Sequence, residues 1–573
     1  MNRTALIQVI KIPDNFFINK SILTKQYCML FFFGCYRFNK RPHSGKMITI
    51  LFFTFSFSEV RSTVSVYYDA TSKSYTHVSG KYDSFAAARA ILIDNHEKNG
   101  WYDLHVEANE GNDDEVQAYA SGYAEGFITQ PLFKPHMKNV YSNLCDKYIK
   151  CENGDIPKDV KDWFNNNYDW VKNNIDKNSE SDNREFFWCA DIIMTTLDGM
   201  VAGYNQVDSN DQITIQDLWM YNSRSEIFNI YRKLNINQIE LTEEPILENG
   251  GTLFITPFGD HDELTVAHST WGSYGTSTKI SKRYRIHFHN VYSKISRRSL
   301  SSYPMMLHSD KGMTITDQGL VITATSIALA NRNLFNYISV QGFPFWLREL
   351  IADQLSYNAD EWMGNYQCFP SGSGIEWTII NFKLFLYKND LLPKSIVVID
   401  EVPNFIKPTD VTEVADNKQH YFASFDVPFN EGIYQSTGYE TLARKNPNVY
   451  SYKNNSRAKI LSEKAQIVNN RLTARELIRY NNINDNNQLN RPDLGISLRK
   501  EKSTNYCAGA TDAKLTTVSR ALHLHWEGAV GPSFDTNEPF NFNNYQVCKD
   551  AKHENVPDEL GFEWINHYFD IDI

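Results

Sequence analysis

The stretch NGGTLFITPFGDHDELTVAHSTW, Asn249 to Trp271, does most to limit what this chain can fold into. It reads as an apolar strand, a polar turn and a second strand that ends in a histidine and a tryptophan. The acidic, Pro-containing segment LTEEPILEN leads into it, and a Gly-Gly-Thr step opens the first strand. From Thr252 onward strands dominate, interrupted by a helix at 345–360 (FWLRELIADQLSYNAD) and resumed in KSIVVID and YFASFDV. Upstream, STVSVYYDATSKSYTHVSG reads as a hairpin of two alternating strands. Residues Ser84 to Lys98 carry helical periodicity that Asn99-Gly100 stops. Residues 115–150 are again helical, and Gly122 and Gly126 share one helix face, where small residues allow close packing. Segment 153–185 reads as solvated, with a helix surface around WFNNNYDWV, and 186–205 as an apolar core helix. The tail after Asn481 is polar and loop-rich, and no internal repeat occurs. Paired strands with buried helices between them give an α+β class.

A chain of 573 residues, 42% hydrophobic and 22% charged, has the material for one large α+β unit with insertions. Its 14% aromatic share favours strands. The net charge of -11, with no strong Lys/Arg cluster, argues against nucleic acid as a partner. Two early apolar runs, Tyr27–Tyr36 and Met47–Ser58, fall short of the roughly 20 residues that span a bilayer, and no later segment is read as spanning one. The second run has the form of a secretory h-region, with Ser56 and Ser58 as small residues at a cleavage site. Residues 1–46 read as an extension ahead of it or as an unusually long leader. Beyond the leader, Cys145 and Cys151 flank DKYIK as a small disulfide loop would, and Cys507 with Cys548 would close the C-terminal region; Cys189 and Cys368 remain. Asn454-Asn455-Ser456 is a glycosylation sequon in a polar loop.

The usual catalytic devices are absent. There is no G-x-S-x-G elbow, H-E-x-x-H helix, phosphate loop or dinucleotide fingerprint, so no cofactor is expected. The pairs His287/His289 and His523/His525 would each share a strand face, but neither has a third ligand at recognisable spacing, and no metal is expected. SGSG at Ser371–Gly374 reads as a plain turn.

A different pattern runs the length of the chain. STVSVYYD, YASGYAEGFIT, LDGMVAGY, VAHSTWGSY, SSYP, QGLVITATS, FWLRELIADQL, YFASFDVPF, SRAKI, IRYNN, GATDAKLT and GPSFDTNEPF follow one another between Ser62 and Phe540. In that order they resemble the phospholipase B-like (laminin-ancestor, or LAMA-like) family, from about residue 62 to the C-terminus. The resemblance implies the four-layer αββα sandwich of N-terminal-nucleophile hydrolases and a secreted or lysosomal protein. It implies a precursor cut into two chains that stay together and hydrolysis of acyl esters or amides of lipids. On that reading residues 1–61 are a leader or signal region, 62–250 the N-terminal chain with its linker, and 251–573 the C-terminal chain. The freed α-amine, with an ordinary pKa of roughly 7.7–8, acts as base for its own side chain, so no separate triad is needed.

In the family the nucleophilic Cys lies 17 positions before the His of the His-x-x-Trp motif. Here His268 and Trp271 match that motif, and 268 − 17 = 251 is Gly251. Glycine cannot attack. The next residue, Thr252, is a nucleophile type used elsewhere in this fold class. Thr325 falls on a family site Thr and Arg457 on a site Arg. The family's Ser-Tyr-Asn is Ser424-Phe425-Asp426, with Arg457 lying 457 − 426 = 31 residues on, as in the family. An ionised Asp426 accepts hydrogen bonds and cannot donate to an oxyanion, and losing such a donor costs about 3–4 kcal/mol of transition-state stabilisation. A protonated Asp426 could still donate, which would make activity acid-dependent. The family's Asn-Asn-Gln-Trp is reduced to Gly374-Ile375-Glu376-Trp377. Two readings follow: an acyl-hydrolase that uses Thr252, or a secreted non-enzymatic relative that binds a lipid or acyl-amide ligand.

Overall fold

The computed structural model describes residues 60–570 apart from 148, 152–153, 236–249, 260, 419, 482–490 and 535–536. The expected leader lies outside that range up to residue 59, as does the acidic run into Gly250. Residues from Val60 onward make one unit.

β1 (Val60–Asp69) turns back into β2 (Ser74–Ser79) in the expected hairpin, with Asp69 opposite Ser74. The helix expected over 84–98 is not formed. Ala88–Asp94 is a strand, β3, paired along its length with β1 and with β4 (Trp101–Ala108). A short apolar run such as ARAILID fits either period, and two flanking strands supply every backbone partner that a helix would otherwise supply. One helical turn survives as α1 (His96–Asn99), closed by Gly100 in the left-handed region at φ 85°.

α2 (Asp114–Lys147), α3 (Lys158–Asn178) and α4 (Arg184–Asn205) carry most of the helical core. Gly122 and Gly126 of α2 meet Gly199 and Gly203 of α4, and the approach is of backbone on backbone. A Cβ on Gly122 would come within 1.9 Å of the Thr196 carbonyl, and one on Gly203 within 2.0 Å of the Tyr123 carbonyl. α4 is 22 residues long and apolar enough to cross a membrane by length and composition, a correction to the expectation that no later segment is. Its Phe186, Phe187, Met194, Leu197 and Met200 are buried in the protein core. α5 (Ile215–Asn222) starts at a Thr214–Asp217 capping box, and α6 (Arg224–Leu234) follows.

The opening stretch folds as read: β5 (Gly251–Phe258) and β6 (Glu263–Ser273) pair antiparallel, Thr252 opposite Ser269 and Leu253 opposite His268. β7 (Lys279–Arg285) lies parallel to β4, joining the two halves of the chain in one sheet. β8 (Arg297–Ser302), β9 (Met313–Thr316) and β10 (Leu320–Ser326) extend it. Beyond α7 (Phe345–Leu355) and α8 (Ala359–Tyr366), β11 (Ile375–Asn381), β12 (Ile396–Val402) and β13 (Phe405–Asp410) complete it. The order is β13-β12-β11-β10-β9-β8-β7-β4-β3-β1-β2. A second sheet runs β14 (Phe422–Ser424), β5, β6, β15 (Ala508–Thr517), β16 (Trp526–Val530) and the strand Ile565–His567. The tail read as loop-rich therefore supplies a central, wholly buried strand. Alternation along β10 shows how the layers meet. Leu320, Ile322 and Ala324 join the helical core with Trp346 and Leu350, while Val321 joins Leu253, Ile255 and Val266 of the second sheet. Burying each of the leucine, isoleucine and valine side chains among them stabilises by roughly 1.5–3 kcal/mol. On the second sheet's other face, Phe254 and Ala267 join the cluster that holds Ile460, Leu461 and Leu477. Cys145–Cys151 and Cys507–Cys548 are disulfides. Cys189 and Cys368 are free thiols.

Candidate functional site

Side chains alternate along a strand, so Gly251, Leu253, His268 and Thr270 face the large sheet, and Thr252 and Ser269 face away from it. The head of β5 is crowded. A Cβ on Gly250 would lie 1.9 Å from Oδ2 of Asp426, and one on Gly251 would lie 2.8 Å from Nε2 of His268. Position 251 is thus where a side chain would meet the histidine, and the residue there has none. Nε2 of His268 donates to the Ala324 carbonyl at 3.1 Å. Burial, and Lys514 nearby, hold the ring neutral with its pKa lowered to about 3. Nδ1 of His268 and Oγ1 of Thr252 are buried without a hydrogen-bond partner.

Asp426 follows β14 in the left-handed region, φ 63°. Its Oδ1 accepts from Gly251 N at 3.0 Å and Ser326 N at 2.9 Å. Burial raises the carboxyl to about 6, against the two N–H groups and the charges of Arg457 and Lys311, which favour the anion. Thr325 Oγ1 and Ser424 Oγ share a hydrogen bond of 2.5 Å. Arg457 stacks on the Trp271 ring at 4.3 Å and donates to the carbonyls of Gly495 and Asp493. Trp271 donates to the Ile496 carbonyl at 2.9 Å, and its own N–H reaches the Gly250 carbonyl at 2.8 Å. The register and these bonds therefore gather Gly251, His268, Thr325 and Asp426 at the head of β5, with the Trp271–Arg457 stack beside them. Thr252 lies on the opposite face of the strand.

Two features went unread in the sequence. Glu376 and Asp400 are cross-strand neighbours on β11 and β12, and Thr325 of β10 lies opposite Glu376 on the other side of β11. Glu376 Oε2 accepts from Phe429 N at 2.8 Å and Asp400 Oδ2 from Asn430 N at 2.6 Å. Burial and mutual repulsion push Glu376 well above the usual carboxylate range, and burial also raises Asp400, so the pair holds a proton. It pins the segment just after Asp426. Between the sheets, Lys514 donates to Asp512 and Thr270, and Lys279 bridges Asp512 and Tyr303. The register that brings Glu376 to Asp400 is the signal that could have found the first. The buried lysines carry none, since a lysine in a strand normally reads as solvated. His287 and His289 lie beyond the end of β7, and His289 faces Asp114. Among the described residues, His261, Asp390 and Asp416 have ligand atoms within 4.8 Å of one another.

Fold and site together define an α+β protein with a buried polar centre at the head of a strand hairpin, where a short side chain, a histidine, a carboxyl and a stacked arginine meet. The model of the family described as Phospholipase B matches residues 88–567, and the chain belongs to that family. It is similar to phospholipase B-like protein D of Dictyostelium discoideum, 27% identical over 84% of this chain and 87% of that one. It is also similar to phospholipase B-like 1 of Rattus norvegicus (24%; 84% and 88%) and to putative phospholipase B-like 2 of Mus musculus (26%; 80% and 81%).

Proposed function

We propose that this chain is a phospholipase B-like protein of the αββα N-terminal-nucleophile type whose site holds an acyl-lipid or acyl-amide ligand without turning it over covalently. Gly251 carries this reading: it has no side chain at the head of β5, where a Cβ would lie 2.8 Å from Nε2 of His268. A cut before Gly251 would free an α-amine with no nucleophile beside it. The sandwich is supported by helices on one face of the large sheet, the second sheet on its other face, and further helices beyond. Asp426 supports ligand recognition. Neutral below about pH 6, its carboxyl can donate to a carbonyl oxygen; ionised above, it repels one. Two disulfides, the sequon at Asn454 and the apolar run Met47–Ser58 support a secreted or lysosomal protein.

A second reading, acyl hydrolysis by Thr252, is favoured by one observation: its buried hydroxyl lacks a partner, and such orphans need an explanation. Intact mass and N-terminal sequencing at neutral and acid pH separate the two. The ligand-holding reading expects no chain that starts at Thr252. A chain starting there, with lipid or amide turnover lost in Thr252→Ala, would overturn it. Arg457→Ala is expected to weaken acyl-ligand binding while the fold is kept.

A further inference from the structure

Between α2, α4, α7 and the strands β7 and β8 lies a cavity of about 60 Å³. At roughly 10–15 Å³ for each water-sized centre, that is room for about four to six non-hydrogen atoms. Its walls are mostly apolar: Ile192 and Ile193 of α4, Ile286 just after β7, Leu307 from the loop after β8 and Leu350 of α7. β5 and β6 contribute nothing to them. Glu125 of α2 is the one acid in the lining, and both its oxygens are engaged: Oε1 accepts from Lys282 at 2.6 Å and Oε2 from Tyr284 at 2.7 Å. Arg298 on β8 is the cross-strand neighbour of Tyr284 on β7, and this register lays its guanidinium over the Tyr284 ring at 4.7 Å. Among the described residues no oxygen accepts a hydrogen bond from that guanidinium. Nearby carboxyls do not offset its charge. Glu125 is matched by Lys282, and Asp353, on which Arg298 also acts, is raised to about 8 by burial and by Glu349, so it is mostly neutral at pH 7. Arg297, the other cation in the lining, is exposed and faces Asp317. The cavity thus joins aliphatic walls to one forked donor with its N–H groups uncommitted.

We propose that this cavity binds a short aliphatic carboxylate of about three or four carbons, its two oxygens on the Arg298 fork and its chain against Ile192, Ile193 and Leu350. A guanidinium matches a carboxylate through two parallel N–H bonds. A phosphate dianion would carry more charge into apolar walls than one arginine meets, and such burial is costly. The chain adds affinity by leaving water, about fourfold for each methylene until the space is filled. The inference goes beyond the acyl site and does not rest on it, because the cavity lies among helices and strands that take no part in the head of β5.

The test is calorimetric titration of the full chain at pH 7 with acetate, propionate, butyrate, octanoate and the neutral analogue butyramide. Butyrate is expected to bind, with acetate and butyramide each at least tenfold weaker, propionate between acetate and butyrate, and octanoate no tighter than butyrate. Arg298→Gln is expected to weaken butyrate at least tenfold while leaving butyramide unchanged, so that the preference for the anion disappears. Damage to the fold would weaken both ligands together. Should Arg298→Gln not fold, Arg298→Lys, which keeps the charge and loses the fork, is expected to weaken butyrate severalfold. Arg457→Ala, which probes the acyl site, is expected to leave butyrate binding unchanged. The proposal is overturned by no binding of butyrate, by butyramide binding as tightly as butyrate, or by affinity that keeps climbing to octanoate. Unchanged butyrate binding in the Arg298 variants, or its loss in Arg457→Ala, overturns it as well.

Discussion

Asp426 combines a left-handed backbone with a buried carboxyl that receives two N–H groups, and its titration has a sign that can be worked out. Its folded pKa of about 6 lies above the unfolded value of roughly 3.9. The stability it contributes is therefore full below the unfolded value and is lost as pH rises through 6. Asp426→Asn keeps an acceptor for Gly251 and Ser326 and removes the charge. It should raise stability at pH 7 by about 2–3 kcal/mol and leave it unchanged near pH 3.5, read by denaturant titration at the two pH values. Thr252 gives a second expectation. Replacing its unpartnered hydroxyl by a methyl in Thr252→Val should stabilise by about 1 kcal/mol, and a loss of stability would mean that the hydroxyl has a partner. At this scale the sequence was informative where spacing could be counted. The offsets of the resembled family picked out Gly251, His268 and Asp426, and the fold places these three side by side. The face on which Thr252 lies was not legible, because facing depends on register, and register is fixed by pairing with β6.

The α2–α4 crossing is the element on which most of the helical layer depends, and its glycines were readable as a pair on one helix face. Their partners Gly199 and Gly203 were not matched to them, since nothing local says which helix α2 meets. Gly203→Ala would set a methyl 2.0 Å from the Tyr123 carbonyl, where backbone must move. It is expected to cost on the order of 3 kcal/mol or more, measured as a lowered denaturation midpoint, whereas Gly364→Ala, with nothing within 4 Å, should cost nothing measurable. β3 and β15 show the limits of local pattern. β3 carries a helical period that its two neighbouring strands override. β15, AGATDAKLTT, looks like a loop because its polar residues are paired inside the protein, Asp512 with Lys279 of β7 and with Lys514 two residues along its own strand.

Among the described residues, several carboxyls are raised by burial into the range where neutral solution titrates them. Asp353 stands at about 8, Glu226 at about 7 and Asp426 at about 6, and the Glu376–Asp400 pair is raised as well. As pH falls from 8 toward 6.5 the folded chain takes up protons that the unfolded chain does not, so stability rises. Below 6.5 the buried neutral rings of His136, His268 and His567 work against it, because the unfolded chain protonates first. The melting temperature is therefore expected to increase from pH 8 to about 6.5 and to flatten or turn beneath that, checked by thermal scans across the range. The α+β class was legible at this scale because periodicity and element order carry it. The pairing of β4 with β7 was not, because a parallel pair is made by segments far apart in the chain. That pair runs from Trp101 opposite Lys279 to Glu107 opposite Arg285. Each half of the polypeptide is left with an open sheet edge that the other half fills. Residues 60–235 and 250–573 made as separate polypeptides in one cell should find each other and assemble, a split protein whose reassembly needs no added tether.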